Sequence, residues 1–258
     1  MKTKSLGFIG SGRITKVILQ VIANNKTEYK AIVVYDTNPT VLAALKKQFP
    51  GITVAASNLE PAQQDMVFIA LHPPVIMDTL EVIKNEFKAA STLISLAPKI
   101  SIAKIASKLP NVKNIVRLIP NATSIINEGY NPVCFAKEMS DWKKQTMLTI
   151  FRRMGHTFEV PEEKLESYAI MSAMLPTYFW FQWKELIELG CKIGLTEDES
   201  LNSVRDTMLA ALRTYFYSGL TPDEVIDLVP VKPIGDSEAQ IKAIYNENLI
   251  SLFEKIKP

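Results

Sequence analysis

The sequence is poor in the side chains that most often build metal centres and disulfide frameworks. Only two cysteines and two histidines occur among 258 residues, so neither a disulfide scaffold nor a Cys/His metal site is expected. Neither sign of charge is in excess, because 29 Lys and Arg residues oppose 27 Asp and Glu residues. A net charge of +2 gives no electrostatic basis for binding nucleic acid or an anionic membrane. These absences favour a small-molecule substrate.

Long apolar runs are also absent. No apolar signal segment opens the chain, and the uncharged stretch over residues 167–183 is shorter than a membrane span and contains Pro176. We therefore expect that stretch to be buried in protein. Together with cysteines that are expected to stay reduced, these features predict a cytoplasmic protein without a membrane anchor.

The first half of the chain alternates short apolar runs with segments of helical periodicity. The predicted strands cover residues 5–10, 31–36, 66–71, 91–96 and 114–119, and the predicted helices lie near 14–23, 41–49, 75–89 and 101–108. Alternation of this kind predicts an α/β fold with a doubly wound parallel sheet of the Rossmann type, because parallel strands need crossover connections. Ligands of such sheets bind beyond the carboxyl ends of the strands.

The second half carries helical signals only. A long helix is predicted after Pro161, with a kink at Pro176, and a last helix is predicted over residues 238–256. Two capping boxes mark further helix starts, and they pair Thr196 with Glu199 and Thr221 with Glu224.

These two halves predict two domains. We expect a dinucleotide-binding domain over residues 1–160 and an all-helical domain over residues 161–258. Aromatic side chains at residues 178–183 point to nearly every side of their predicted helix, which is more apolar surface than a small helical domain buries alone. This favours a homodimer that forms through the helical domain. An ordinary monomeric core is the alternative.

The segment GFIGSGRITK, residues 7–16, lies between a predicted strand and a predicted helix. Gly10 and Gly12 occupy the first two glycine positions of a dinucleotide-binding turn, whereas Thr15 stands at the third, where Gly or Ala is usual. Asp36 ends the next predicted strand, at the spacing of the acidic residue that binds the adenosine ribose. The pattern predicts NAD or NADP as cofactor. NADH is favoured because a carboxylate repels a 2′-phosphate.

Two features leave the choice of nucleotide open. Arg13 and Lys16 offer positive charge close to the glycine turn. Asp36 could also cap the helix that begins near Pro39 instead of binding a ribose. A lower Kd for NADPH than for NADH would contradict the predicted preference.

The chain resembles the pyrroline-5-carboxylate reductase family over nearly its whole length. The glycine turn is similar to that family's opening segment, VFIALHPP stands where the family has a strand ending in Val-Lys-Pro, and IVRLIPNATS is similar to its Arg-x-Met-Pro-Asn-Thr-Pro segment. The most specific matches are Arg117, Pro120, Asn121 and Gly129. In the helical half, SAMLPTY occupies the place of the family's Ser-Gly-Ser-x-Pro-Ala-Tyr motif and retains Ser172.

The resemblance implies reduction of 1-pyrroline-5-carboxylate to L-proline by hydride transfer from NAD(P)H. It also implies a helical domain that interlocks with a partner subunit, and many members of the family assemble dimers into decamers. Gly10, Gly12, Arg13 and Ile14 are implied to line the pyrophosphate, Asp36 to bind the adenosine ribose, and His72, Pro73 and Asn121 to line the nicotinamide side. A protonated cyclic imine is already electrophilic, so this chemistry needs no strong acid catalyst.

The reaction implied by the family resemblance does not require either histidine as a catalyst. His72 ends a strand at the predicted crevice, where positioning of the backbone is as good an interpretation as proton transfer. His156 is expected in a turn or at a strand start, without a catalytic role.

The substrate motifs depart from the family pattern. Ser172, implied to be catalytic, is followed by bulkier residues than the family's Gly-Ser. The family's Ser-Pro-Gly-Gly-Thr-Thr turn, whose N–H groups and hydroxyl receive the substrate carboxylate, reads KPIGDSEA here, with Asp236 and Ser237 implied at the catalytic positions. A second carboxylate about 4 Å from that of the substrate would cost on the order of 4 kcal/mol at an effective dielectric constant near 20. Ser237 could instead form a capping box with Gln240.

Three functions are consistent with the sequence. The first is the reduction of pyrroline-5-carboxylate. The second is the reduction of another cyclic imine or a 2-oxo compound, including one that carries a cation for Asp236 to pair with. The third is a non-catalytic, dinucleotide-binding regulator, which would bind the cofactor without turnover.

Overall fold

The computed structural model describes residues 4–258, which divide into two compact units. The first unit ends at Met174 and also contains residues 253–258, and the second covers residues 175–252. This division differs from the expected boundary at residue 160. Residues 161–174 belong to the first unit because Leu165 and Ala169 are buried in its core and Glu166 pairs with Arg117 of its sheet.

The first unit is built on a sheet that has eight strands within residues 4–258. The strands are β1 (Ser5–Ile9), β2 (Ala31–Tyr35), β3 (Thr53–Val54), β4 (Met66–Ile69), β5 (Thr92–Ser95), β6 (Asn114–Leu118), β7 (Gly129–Phe135) and β8 (Gly155–Glu159). Their order across the sheet is β3-β2-β1-β4-β5-β6-β7-β8. Neighbouring strands are parallel except β6 and β7, which are antiparallel. The chain order reverses beside β1, and this switch point is where such sheets bind ligands.

Helices cover both faces of this sheet. They are α1 (Arg13–Asn24), α2 (Pro39–Gln48), α3 (Leu59–Ala62), α4 (Pro73–Ile83), α5 (Ile102–Lys108), α6 (Asp141–Phe151) and α7 (Leu165–Tyr168). Alternation along β1 sends Phe8 into the core beneath α1, α2 and α6, and sends Ile9 into the core beneath α4 and α5. The predicted doubly wound α/β class is confirmed, and the antiparallel β7 is its departure from a wholly parallel sheet.

The second unit is helical within residues 175–252. Its helices are α8 (Trp180–Lys192), α9 (Glu197–Tyr217), α10 (Pro222–Asp227) and most of α11 (Glu238–Ile256). Both predicted capping boxes form, at the starts of α9 and α10. Helices α8 and α9 approach closely at Gly190, where a Cβ would lie 2.0 Å from the Ser200 hydroxyl oxygen.

The predicted long helix after Pro161 is not continuous. The chain passes through a 3₁₀ turn (Glu162–Lys164), α7, a π-helical turn (Ala169–Ala173) and a second 3₁₀ turn (Leu175–Tyr178) before α8 begins. Pro176 cannot donate a backbone hydrogen bond, and the Ser172 hydroxyl donates to the Tyr168 carbonyl, so a regular ladder is interrupted here. No helix within residues 4–258 has the length and apolar character needed to cross a membrane.

Candidate active site

The glycine turn after β1 is shaped by contacts that only glycine allows at its first position. Gly10 has a φ of +102°, and its N–H donates to the Tyr35 carbonyl oxygen at 2.8 Å. A Cβ at residue 10 would lie 2.3 Å from the Ala70 carbonyl oxygen. Gly10 therefore lets the turn pass between the ends of β2 and β4.

The second glycine leaves an open surface at the start of α1. A Cβ on Gly12 would meet no atom within 4 Å, and no side chain caps the helix. The first N–H groups of α1 are thus uncapped, and together with the helix dipole they form a suitable site for a pyrophosphate. Arg13 is the first residue of the helix, is exposed, and adds positive charge.

Thr15 explains the incomplete glycine fingerprint. Its side chain is fully buried, and its hydroxyl donates to the Gly10 carbonyl oxygen at 2.7 Å. Thr15, at the third position of the fingerprint, therefore stabilises the turn through this hydrogen bond. A glycine at that position would instead permit close helix–strand packing.

Asp36 is also bound to the glycine turn. One carboxylate oxygen accepts hydrogen bonds from the Ser11 N–H at 2.7 Å and from the Ser11 hydroxyl at 3.0 Å, and the other accepts from the Asn38 N–H at 2.9 Å. A carboxylate has about four acceptor positions, so one is left for a ribose hydroxyl. The cap of α2 is Asn38, whose side chain accepts from Thr40 and Val41, so the alternative in which Asp36 caps that helix is wrong.

Two loops face the other side of the switch point, after β4 and β6. His72 is the N-cap residue of α4, is exposed, and makes no side-chain capping bond, and Pro73 follows as the first helical residue. The buried Asn121 caps a short 3₁₀ helix through its side-chain oxygen, and its amide nitrogen donates to the Ser172 carbonyl oxygen at 2.8 Å. Asn121 thus holds its loop against the π-helical turn.

A buried ion cluster lies beneath the loop that follows β5. Arg117 on β6 is 0 % exposed, and it donates to Glu162 at 3.0 Å and to Glu166 at 2.5 Å. The same two carboxylates accept the backbone N–H groups of Ile102, at 2.7 Å, and Lys99, at 3.0 Å. The sequence alone identifies Arg117 only as a match to the family segment. One feature of the sequence does indicate such a cluster. Arg117 is a single charged residue in a mostly apolar strand, and Glu162 and Glu166, four residues apart, follow it in the chain.

Cys134 lies in the same buried region. Burial raises the pKa of its thiol to about 12, and the negative charge of Glu162 acts in the same direction. The thiol is therefore protonated near neutral pH and has no nucleophilic character. His156 lies in β8, one residue after its start, with its ring stacked on Tyr130.

The sequence-predicted residues fall in both units. Gly10, Gly12, Arg13, Ile14, Asp36, His72, Pro73 and Asn121 lie on or next to loops at one edge of the first unit's sheet, and Ser172 lies in the turn bound by Asn121. Asp236 and Ser237 lie in the second unit, exposed, in a 3₁₀ turn that leads into α11. The Ser237 hydroxyl makes no hydrogen bond within residues 4–258, so the capping box with Gln240 does not form there.

Comparison with known proteins agrees with this geometry. Residues 5–99 match the family described as NADP oxidoreductase, coenzyme F420-dependent. The pyrroline-5-carboxylate reductase of Escherichia coli (strain K12) is 26% identical over 228 residues, which cover 88% of this chain and 84% of that protein. That of Methanosarcina acetivorans is 23% identical over 267 residues, which cover 100% and 98%. The chain is thus similar over most of its length to pyrroline-5-carboxylate reductases, at an identity of 23–26%.

Solved structures of the family have the same fold. The pyrroline carboxylate reductase of Plasmodium falciparum, solved with NADP bound, superposes with a TM-score of 0.80 over 99% of this chain and 96% of that one, at 24% identity. At such identity the likeness is one of fold. The predicted resemblance to pyrroline-5-carboxylate reductases and the predicted class, an NAD(P)-dependent oxidoreductase, are confirmed. The roles of the individual site residues stay predictions.

Proposed function

We propose that this protein reduces 1-pyrroline-5-carboxylate to L-proline with NAD(P)H. The observation that carries the proposal is the correspondence with pyrroline-5-carboxylate reductases along almost the whole chain, which includes the glycine turn and the Asn121 loop. The residues of the first unit support it chemically. The exposed crevice loops present one imidazole, that of His72, and a protonated cyclic imine needs positioning more than acid catalysis.

Different residues of the first unit bind different parts of the cofactor. Gly10, Gly12 and the uncapped start of α1 bind the pyrophosphate, and Asp36 accepts a ribose hydroxyl. The His72 and Asn121 loops orient the nicotinamide side. When bound, the reduced cofactor supplies the hydride, and the imine nitrogen arrives already protonated. Ser172, Ser237 and Asp236 are proposed to contact the substrate.

Turnover tests this proposal directly. Purified protein is mixed with pyrroline-5-carboxylate and NADH or NADPH, and oxidation is followed by the loss of nicotinamide absorbance. The matched variant is Gly12→Ala, because a methyl group there meets no protein atom within 4 Å and leaves the fold intact. We expect the variant to raise KM for the cofactor while the melting temperature stays unchanged. Wild-type oxidation no faster than the substrate-free background would reject the proposed substrate.

A different substrate is the second candidate, and Asp236 is the observation that favours it. Its exposed carboxylate stands where the family turn receives an anion, so it would suit a cyclic imine or 2-oxo compound that carries a cation. A substrate screen with Asp236→Thr as the comparison separates the two candidates. Proline formation in the variant but not in the wild type would favour the second. Cofactor binding without turnover on any imine or carbonyl compound would instead favour a non-catalytic regulator.

We also propose that the protein is a homodimer, either alone or as the repeating unit of a larger oligomer, and that its helical unit forms the interface. Large apolar side chains on α8 and α9 are left exposed, among them Phe181 at 66%, Leu212 at 47% and Phe216 at 64%. Patches of this kind mark interaction surfaces. We further propose that the protein prefers NADH to NADPH and that it is located in the cytoplasm.

A further inference from the structure

Lys99 has a backbone conformation that side chains with a Cβ rarely adopt. Its φ is +75°, in the left-handed region. The residue lies in the loop between β5 and α5 and is exposed. Left-handed non-glycine residues are unfavourable for L-amino acids, and they persist where the surrounding structure imposes them, often at functional sites.

The buried ion cluster imposes this conformation. The Lys99 N–H donates to Glu166 at 3.0 Å, and the same carboxylate oxygen accepts from the Arg117 guanidinium at 2.5 Å. Glu166 is 1% exposed and Arg117 is 0% exposed. Three residues after Lys99, the N–H of Ile102 is fixed by Glu162, which also binds Arg117. The middle of the loop and the start of α5 are therefore bound to two carboxylates that both pair with the buried Arg117.

The position of the loop assigns it to the substrate side of the crevice. It follows β5, which lies between β4 and β6 in the sheet, so it stands beside the loops of His72 and Asn121. The glycine turn and Asp36 follow β1 and β2, on the other side of the switch point. Because a dinucleotide lies across the switch point, the β5 loop is on the nicotinamide side.

The charge of Lys99 is free to bind a ligand. Within residues 4–258 its ammonium group forms neither an ion pair nor a hydrogen bond. Arg117 cannot take that role because both of its terminal nitrogens already bind carboxylates. In the second unit, the turn that the family resemblance assigns to the substrate carboxylate contains Asp236, whose own negative charge opposes such an anion.

We propose that Lys99 binds the carboxylate of the substrate, so that the fold holds this lysine in a strained conformation to fix its side chain on the nicotinamide side. This inference rests on the proposed function for the identity of the substrate. All the residues that carry it lie in the first unit. The ligand class is a small carboxylate beside the nicotinamide, such as that of a cyclic imino acid.

Steady-state kinetics of Lys99→Asn test the assignment. Asparagine tolerates the left-handed region, so the variant removes the charge while keeping the loop conformation. The matched control is Lys26→Asn, because Lys26 is also an exposed, left-handed lysine, with a φ of +48°, but it precedes β2 at the opposite edge of the sheet. We expect Lys99→Asn to raise KM for pyrroline-5-carboxylate by about 10- to 100-fold, which is the value of a charge-assisted hydrogen bond.

The other parameters distinguish this role from its alternatives. For Lys99→Asn, we expect KM for NADH to stay within twofold of the wild-type value and the melting temperature to be unchanged within error. For Lys26→Asn, we expect no change in KM for the imine or in KM for NADH. An unchanged KM for the imine in Lys99→Asn would overturn the assignment. A rise in KM for the cofactor alone would overturn it too, because Lys99 would then bind a phosphate.

A second measurement separates this inference from the proposed function. Calorimetry with the NAD⁺-loaded protein compares L-proline with pyrrolidine, which lacks the carboxylate. We expect the wild type to favour L-proline and Lys99→Asn to lose most of that preference. Failure of the wild type to reduce the imine would reject the proposed function, but the preference for the carboxylate would still support Lys99. Equal preference in wild type and variant would overturn the role of Lys99.

Discussion

At the scale of single residues, the site is fixed by hydrogen bonds that the glycine pattern does not contain. The sequence predicted Gly10, Gly12 and Asp36 as the cofactor residues, and the structure places them around one turn. The sequence alone does not predict that Thr15 and Asp36 both bind that turn, because such bonds depend on the approach of β2 and α1 to β1. Spacing identifies residue types, whereas the partner of each polar atom is set by packing.

Asp36 gives the first prediction at this scale. Asp36→Ala removes both carboxylate oxygens, and with them two hydrogen bonds from Ser11, one from Asn38 and the proposed bond from the ribose. We therefore expect Kd for NADH to rise by about 10- to 100-fold, as for other hydrogen bonds to charged groups. Kd for NADPH is expected to rise less, because the repulsion of the 2′-phosphate is lost as well. Isothermal titration with both cofactors measures this, with Asp36→Asn as an intermediate that keeps one acceptor. Equal affinity of Asp36→Ala and the wild type for NADH would contradict it.

Asp65 gives a prediction about pH. Its carboxylate accepts from the Ser5 N–H at 2.8 Å and from the Ser5 hydroxyl at 3.1 Å. Burial opposes ionisation, but these bonds and the nearby lysines outweigh it, so the pKa of Asp65 is lowered. The stabilisation is therefore present above the pKa of the unfolded chain and is lost as the pH falls through the folded value. We expect Asp65→Asn to cost about 1 kcal/mol at pH 7, after allowance for solvent screening.

Urea denaturation at pH 7 and pH 3 checks this expectation. The difference in the free energy of unfolding between the wild type and Asp65→Asn should be smaller at pH 3 than at pH 7, because the stabilisation decreases once the pH is below the pKa of Asp65 in the unfolded chain. A difference that stays constant, or grows, as the pH falls would be incompatible with a lowered pKa.

At the scale of elements, prediction succeeded where the local signal and the tertiary environment agree. The buried strands β1, β2, β4, β5 and β6, the two capping boxes and α11 were all found in the sequence. Strands β7 and β8 were not predicted, because Gly129 and Pro132 within β7 indicate a turn when read locally. Their pairing depends on β6 and on crossover through α6, which a short window of sequence does not contain.

The buried ion cluster predicts a large effect at this scale. Arg117→Met leaves Glu166 charged, buried and unpaired, so we expect a loss of about 3–5 kcal/mol in the free energy of unfolding. Chemical denaturation measures it. The control is Lys108→Met, which breaks an exposed ion pair with Glu81 and should change stability little. Similar losses in the two variants would contradict the expected cost of leaving Glu166 without its partner.

At the scale of the whole molecule, the boundary between the two units depends on the ion pairs of Arg117. Residues 161–174 are helical in character, so sequence patterns group them with the helices that follow. Glu162 and Glu166 instead bind Arg117 of the sheet, and this attaches the segment to the first unit. A boundary of this kind is set by long-range pairing and cannot be read from the helical pattern.

The exposed helical surface predicts the oligomeric state. Leu212 on α9 lines an apolar groove with Trp183 and Leu209. We expect the wild type to sediment as a dimer or a multiple of it, and Leu212→Glu to shift it to monomer, because the charge would be buried at the interface. Lys47→Glu, an exposed charge reversal on the first unit, is the control. A wild-type monomer at micromolar concentration would contradict the proposed interface.

The most direct test of the central claim is to follow the hydride itself. Pyrroline-5-carboxylate is incubated with the protein and NADH that carries two deuterium atoms at C4, and the product is analysed by mass spectrometry. Hydride transfer predicts L-proline that contains one deuterium, bound at the former imine carbon, in amounts equal to the NADH consumed. Recovery of the imine unchanged, or NADH oxidation without labelled proline, would contradict the account.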